Sequence, residues 1–323
     1  MNGRDHGGGV DAAAARWGGR REDWLDLSTG INPVPYPIGE VSYQAWTALP
    51  DRGAMERLER AARTFWNVPD EAGLVAAPGA SAIIARMPGI LDGAPEAYIP
   101  GPTYNEWSAS FMQADWSVSD QEPGANVEVR VHPNNPDGGL APAPTRAFLD
   151  DRDPGVGRSH AIYDESFCDT DPTVSFVRHA GHPRVFIVKS FGKFWGLAGV
   201  RLGFLIGPGD AIERMRDMLG PWAVSGPALE IGARALEDLS WAEKTRARLT
   251  ADYQRLDRLM DKAGAGKGRG TPLFRLYNVD DAEAWQDRLA RARIWSRVFP
   301  YDRHMLRLGL PGPKDWDRLE AAL

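Results

Sequence analysis

Residues 185–204 read VFIVKSFGKFWGLAGVRLGF. The first four, Val185–Val188, are an unbroken apolar run, the signature of a short strand buried on both faces. Ser190-Phe191-Gly192-Lys193 follows at once. A lysine in a loop is ordinarily a solvated charge, but this one stands among aromatics at the end of a buried strand. Partial loss of water there makes the amine a better nucleophile toward an aldehyde. Arg201 comes eight residues later, ahead of a second apolar run at Gly203–Ile206, and its forked guanidinium suits a phosphate.

Working outward, similar runs occur at Leu74–Ala77, Val127–Val131 and Ala161–Tyr163. Most end in Gly, Pro, Asn or Asp and are separated by helical stretches. Met55, Leu58, Ala62 and Phe65 lie on one face of a helix beginning near Ala54, and a shorter helix is expected near Val10–Trp17. The pattern predicts a mainly parallel α/β sheet with helices on both faces and its functional groups at the strand ends. It changes near Gly220–Gly226. A long polar helix at roughly 241–263, strands near Leu273–Tyr277, Trp295–Phe299 and Met305–Leu308, and a helix near Ala282–Ala292 predict a small α+β domain. Gly264–Gly270 reads as a flexible hairpin connection. The expected division is a large domain at 45–220, with 1–44 and 221–323 forming an N-terminal arm and a small C-terminal domain.

Other strand ends carry residues suited to an anionic, aromatic cofactor. Gly79-Ala80-Ser81 opens a helix, where free backbone N–H groups can face an anion. Tyr104 lies in Pro102-Thr103-Tyr104, Asn135 in Asn134-Asn135-Pro136-Asp137-Gly138, and Asp164 in Tyr163-Asp164-Glu165. Each alone is compatible with a plain turn or a core residue. Together, in this order, they resemble the motifs of the fold-type I pyridoxal-phosphate (PLP) enzymes, the class I and II aminotransferase family. The resemblance runs from about His6 to Gly309.

It implies an aspartate-aminotransferase-like fold with Lys193 holding PLP as a Schiff base. Gly79, Ala80, Ser81, Ser190 and Arg201 would bind the phosphate, Tyr104 would stack on the ring, and Asn135 would meet the 3-hydroxyl. Asp164 would keep the pyridine nitrogen protonated, which makes the ring an electron sink. Two positions depart from the family. Phe167 stands where a tyrosine often touches the 3-hydroxyl, and Leu49 stands where a tyrosine often reaches the partner subunit's phosphate.

Within that family, His6-Gly7-Gly8, Leu25-Asp26-Leu27-Ser28-Thr29-Gly30-Ile31-Asn32-Pro33, 271–276 (TPLFRL) and 306–312 (LRLGLPG) resemble the threonine-phosphate decarboxylases of cobalamin biosynthesis. The resemblance implies decarboxylation of L-threonine O-3-phosphate to (R)-1-amino-2-propanol O-2-phosphate, with His6, Asn32, Arg275 and Arg307 contacting the substrate. Whichever bond at Cα lies perpendicular to the cofactor plane breaks, so the anchors select the reaction. Freed Lys193 would reprotonate Cα. Two alternatives remain: an aminotransferase acting on histidinol phosphate or a similar compound through the same lysine, aspartate and arginines, and a non-catalytic PLP-binding or scaffold protein that assists the enzyme attaching aminopropanol, which only Phe167 and Leu49 support.

Composition agrees with an enzyme of small molecules. The chain has 323 residues, about two domains' worth. Its 38 basic and 44 acidic residues give a net charge of −6 with no basic block, which argues against nucleic acid. The single cysteine, Cys168, makes no internal disulfide or Cys-rich zinc site, and no metal is expected. The opening MNGRDHGGGVDAAAARW lacks a signal peptide's apolar core, and no run approaches the ~20 apolar residues of a membrane span. A cytoplasmic homodimer is expected.

Overall fold

In the computed structural model, which describes residues 6–121, 125–150 and 160–323, the apolar runs assemble into one seven-stranded sheet. The first five residues of the opening stretch lie outside the described part. The strands are ordered Gly73–Ala77, Gly203–Gly207, Val185–Ser190, His160–Asp164, Val127–Val131, Glu96–Tyr98 and Ser117–Ser119. Strand 203–207 runs antiparallel to both neighbours, and every other pairing is parallel. The mainly parallel sheet therefore holds, with one reversed strand. The last two strands in that order, 96–98 and 117–119, span three residues each, too few to show a period.

The central strands are buried almost throughout, as residues covered on both faces must be. One face packs Val75, Ile83, Trp107, Phe111, Val129, Ile162, Phe186 and Ile212 into a continuous core. Helix Arg52–Trp66 is capped by Asp51, whose carboxylate accepts from the Ala54 N–H. Its buried stripe is Leu58, Ala61, Ala62 and Trp66, one step round from the expected Met55–Leu58–Ala62–Phe65 face.

Register sets the site. Ala77 and Ser190 both pair with Gly203, and Asp164 pairs with Val131 and Val188. Strand 73–77 thus ends at the same sheet edge as the parallel strands, and Arg201 enters strand 203–207 from that edge. A Cβ on Gly203 would lie 2.4 Å from the Ala80 nitrogen, so only glycine lets the 80–84 helix approach the strand this closely.

The chain divides into two compact units. One comprises 36–135 and 139–242 and contains the large sheet. It extends past the expected limit of 220 because helix Gly226–Glu237 packs against helix Arg52–Trp66. The other comprises 1–35, 136–138 and 243–323. It holds a four-stranded antiparallel sheet ordered Arg297–Phe299, Asp302–Gly309, Phe274–Asn278 and Arg269–Thr271. The helices expected near 241–263, 282–292 and 10–17 are Leu239–Lys262, Ala282–Arg291 and Val10–Trp17.

Two expectations are corrected in this unit. The connection at 264–270 does not stay a loop: its end forms strand Arg269–Thr271, paired with 274–276. The run Trp295–Phe299 splits at Ser296. Ile294–Trp295 pairs in parallel with Leu25–Asp26, and Arg297–Phe299 pairs with the last strand. No helix among the described residues is long and apolar enough to cross a membrane.

Candidate active site

Lys193 sits in a turn made rigid by its neighbours. Phe191, Phe194 and Trp195 are fully buried. Phe191 stacks on Trp195 at 5.1 Å, and Trp195 stacks on Trp241 at 5.2 Å. The backbone of Trp195 accepts from the Tyr36 N–H. These flat contacts leave the turn few alternative conformations. Lys193 itself is half-buried and faces a pocket lined also by Ala80, Ser81, Ile84, Tyr104, Val131, Asn135, Asp164, Ser166, Phe167, Ser190 and Arg201. The structure thus gathers around one cavity eight of the nine residues expected at a cofactor. The ninth, Gly79, stands directly behind Arg201. A Cβ at Gly79 would lie 2.6 Å from Arg201 Nη2, and its φ of +88° is one that side-chain-bearing residues avoid.

Arg201 takes a left-handed backbone, φ 56°, and donates from Nη1 to the Ala198 carbonyl at 3.1 Å. Tyr104 is pushed up to about 12, chiefly by burial and then by the charges of Asp164 and Glu106. A hydrogen bond with Ser81 and the charge of Arg201 oppose that rise. Phe167 is buried, and the Lys193 Nζ lies 5.6 Å from its ring centroid, within cation–π range.

Asp164 is the most confined group. Its carboxylate accepts from the Trp107 indole Nε1 at 2.9 Å, and from the Ser166 N–H at 3.0 Å and hydroxyl. Burial raises its proton affinity. The Ser166 and Trp107 hydrogen bonds and the nearby Lys193 charge oppose this. Trp107 and Ser166 were not singled out from the sequence. Trp107 lies three residues after Tyr104, one helical turn on, and that spacing is the only local signal.

On the other face, Glu165 and Lys189 form a separate cluster. Lys189 Nζ donates to Glu165 at 2.6 Å and lies 3.5 Å from Asp169, all three buried. Glu165 also accepts from Ser175 and from the Phe176 N–H, and Trp66 donates to Asp169. Burial alone would raise Glu165, but the Lys189 charge and these donors outweigh it and hold the carboxyl low. Ligand-type atoms of His132, Glu165 and Cys168 come within 4.8 Å of one another. There, however, the Lys189 ammonium already provides the positive charge. The His132 ring also meets the Val174 carbonyl and the Ala141 N–H.

The four residues expected at the substrate belong to the smaller unit. Arg307 is buried, donates to the Ser28 carbonyl at 2.7 Å and lies over the rings of Phe274 and Phe299. Burial, then the Arg297 charge, lowers its pKa to about 10. Asn32 is buried and accepts from Arg248 at 2.6 Å. His6 is exposed, and its carbonyl accepts from Arg297. Arg275 forms a two-pronged ion pair with Asp257 at 3.0 and 2.9 Å and also donates to the Gly268 carbonyl. Its guanidinium is thus committed within the unit. Asp257, eighteen residues upstream, gave no sequence cue as its partner.

A family model for aminotransferase class I and II matches residues 102–298. The chain is 38% identical to a threonine-phosphate decarboxylase of Sinorhizobium sp. over 97% of its own length and 95% of that protein's. It is 35% identical to the threonine-phosphate decarboxylase of Pseudomonas aeruginosa, over 99% and 97% of the two chains. Among solved structures, it is similar to the histidinol-phosphate aminotransferase of Sinorhizobium meliloti in complex with pyridoxal-5'-phosphate. That likeness has a TM-score of 0.82, 16% identity, and coverage of 98% and 93%.

Proposed function

The chain belongs to the aminotransferase class I and II family and, within it, to the threonine-phosphate decarboxylases, and on that premise we propose that it decarboxylates L-threonine O-3-phosphate with PLP to give (R)-1-amino-2-propanol O-2-phosphate for cobalamin assembly. The observation that carries the reading is a single pocket combining Lys193, Asp164, Asn135, Tyr104, Ser190 and Arg201 in a chain similar along nearly its whole length to two such enzymes.

The pocket's chemistry fits PLP. Arg201, Ser81 and Ser190 offer charge and hydroxyls to a phosphate. A Cβ at Gly79 would displace the guanidinium, so glycine there is matched to Arg201. Tyr104 offers a flat face, Asn135 an amide for the ring hydroxyl, and Asp164 an anion for the ring nitrogen. When bound, PLP supplies an electron sink for the pair released when a bond to Cα breaks.

The chain's residues do the rest. The Lys193 amine would hold the aldehyde carbon and, once the substrate amine had taken its place and passed it a proton, would be the acid that returns that proton to Cα. Phe167 gives the Lys193 amine an aromatic face to rest on. Arg307, with His6 and Asn32, is assigned to the substrate's anionic groups. Arg275 acts indirectly, by tying strand Phe274–Asn278 to helix Leu239–Lys262 through Asp257.

The same reading makes the protein a homodimer. Tyr43, Trp46 and Leu49, on and just after helix Tyr43–Thr47, are 82%, 68% and 66% exposed, apolar surface suited to a second copy. It also assigns the protein to the cytoplasm, in keeping with a chain that carries a single, buried cysteine.

The test is incubation of protein and PLP with L-threonine O-3-phosphate and no keto acid. Multiple-turnover release of CO2 and aminopropanol phosphate is expected. No CO2, but amino transfer once histidinol phosphate and 2-oxoglutarate are supplied, would instead favour the aminotransferase. Sedimentation giving a fully active monomer would overturn the dimer.

A further inference from the structure

The hydrogen bond from Trp107 to Asp164 has a chemical direction. The indole N–H can donate and has no lone pair with which to accept. The Ser166 backbone N–H is equally one-way. Asp164 therefore faces two obligate donors and one hydroxyl. As a carboxylate it satisfies all three. As a neutral acid it would have to direct its own proton at Ser166 Oγ, the only partner able to take it, while burial drives it toward that neutral form. The other titratable groups facing it are Lys193, whose charge favours the anion, and Tyr104, which influences it as a neighbour. Glu165 is turned away and engaged with Lys189.

Trp107 is also fixed in place. It is fully buried in helix Asn105–Gln113 and packs near Phe111 at 6.4 Å. Its N–H is thus delivered to Asp164 Oδ2 by a rigid ring, and a buried indole N–H left without an acceptor would be costly. Tyr104 immediately precedes the same helix. One short segment therefore supplies both a face for the cofactor ring and the donor behind the carboxylate.

We propose that Trp107 is a positioning residue: its one-way indole donor keeps Asp164 ionised and aimed, and so sets the protonation of the cofactor's ring nitrogen. This rests on the cofactor reading above. No step of the reaction touches the indole itself.

The experiment removes the donor and keeps the shape. Benzothienylalanine at position 107 replaces the N–H by sulfur in a ring of nearly the same outline, and Trp107→Phe is the coarser change. In cofactor-free protein, ¹³C-carboxyl NMR of labelled aspartate, with the Asp164 signal assigned by its loss in Asp164→Asn, reports the carboxyl titration. The midpoint should rise in both variants and return toward wild type in Trp107→His, which restores a donor. With PLP bound, the ring nitrogen's ¹⁵N shift should move toward the unprotonated value. Affinity should fall roughly tenfold, the loss of one charged hydrogen bond. In an Asp164→Asn background the same replacement should change neither reading, which separates action through Asp164 from mere packing. An unchanged midpoint in a benzothienyl variant that melts like wild type overturns the proposal. If wild type fails to bind PLP, the cofactor reading falls and the ring-nitrogen role with it, while the cofactor-free titration still reports on the hydrogen bond.

Discussion

Replacing Lys189 by methionine isolates a buried charge cluster that the reaction does not use. The side chain keeps an unbranched apolar stem and loses its ammonium, leaving Glu165 and Asp169 without the Lys189 charge inside the large unit. Lys189 and Glu165 are 2% and 0% exposed at their side chains, so solvent cannot take over. Breaking a buried pair by removing one partner costs about 3–5 kcal/mol, because the remaining charge is uncompensated. The 2.6 Å contact and the second carboxylate at 3.5 Å put Lys189→Met in that range.

Acidity gives a second signature. In the wild type Glu165 is held low, so its contribution is present above the unfolded value of about 4.3 and is lost as pH falls through the folded value. In Lys189→Met burial is opposed only by the Ser175 and Phe176 donors, so Glu165 rises. That penalty is then largest near neutrality and shrinks as acid neutralises the carboxyl in both states. The stability gap between the two proteins should therefore narrow as pH is lowered toward about 5. Urea unfolding followed by circular dichroism at both acidities measures it. Adding Glu165→Gln should recover at least about 1 kcal/mol of the sum of the single losses, because the two residues are in direct contact. A loss under about 1 kcal/mol at neutrality, or a gap that widens in acid, would refute the reasoning.

Three further outcomes are expected. Lys193→Ala should leave the circular dichroism unchanged but abolish both turnover and the borohydride-fixed cofactor mass on the protein; turnover at the wild-type rate would sink the central assignment. Gly79→Ala must place a side chain at φ +88° and 2.6 Å from Arg201 Nη2, so it should lose about 1–3 kcal/mol of stability and bind PLP more weakly by calorimetry. Arg275→Ala should lower stability by about 1.5–3 kcal/mol through the lost charged hydrogen bonds to Asp257 while raising the substrate KM less than Arg307→Ala does; equal KM effects would return Arg275 to the substrate.

The substrate-side residues and the clusters around the site were read unevenly from the chain, and the reasons are physical. Arg275 and Arg307 look alike in sequence, each set within an apolar strand of the same small sheet. They differ in what reaches them from elsewhere. Asp257 arrives from helix Leu239–Lys262 to neutralise Arg275, whereas Arg307 meets a backbone carbonyl at Ser28 and two aromatic rings. Lys189 shows the same limit, since inside VFIVKS nothing adjacent reveals that Glu165 and Asp169 will bury it. The split of 295–299 into two strands depends likewise on a partner at 25–26, too short to announce itself.

From the sequence came the mainly parallel α/β class, Lys193 with Arg201 eight residues on, and, through a family resemblance, the order of the residues proposed to meet a cofactor. All are local: each of these side chains lies at or within a few residues of one end of a buried apolar run, so strand and site are written in one short segment. Tertiary structure alone decided how those segments align. Pairing of Ala77 and Ser190 with Gly203, and of Asp164 with Val131, brings five strand ends to one edge. It also chose the partners that tune the site, Trp107 on Asp164 and Asp257 on Arg275. Such partners are selected by burial and by the need to satisfy every enclosed charge and N–H, and those demands exist only once distant elements have packed together.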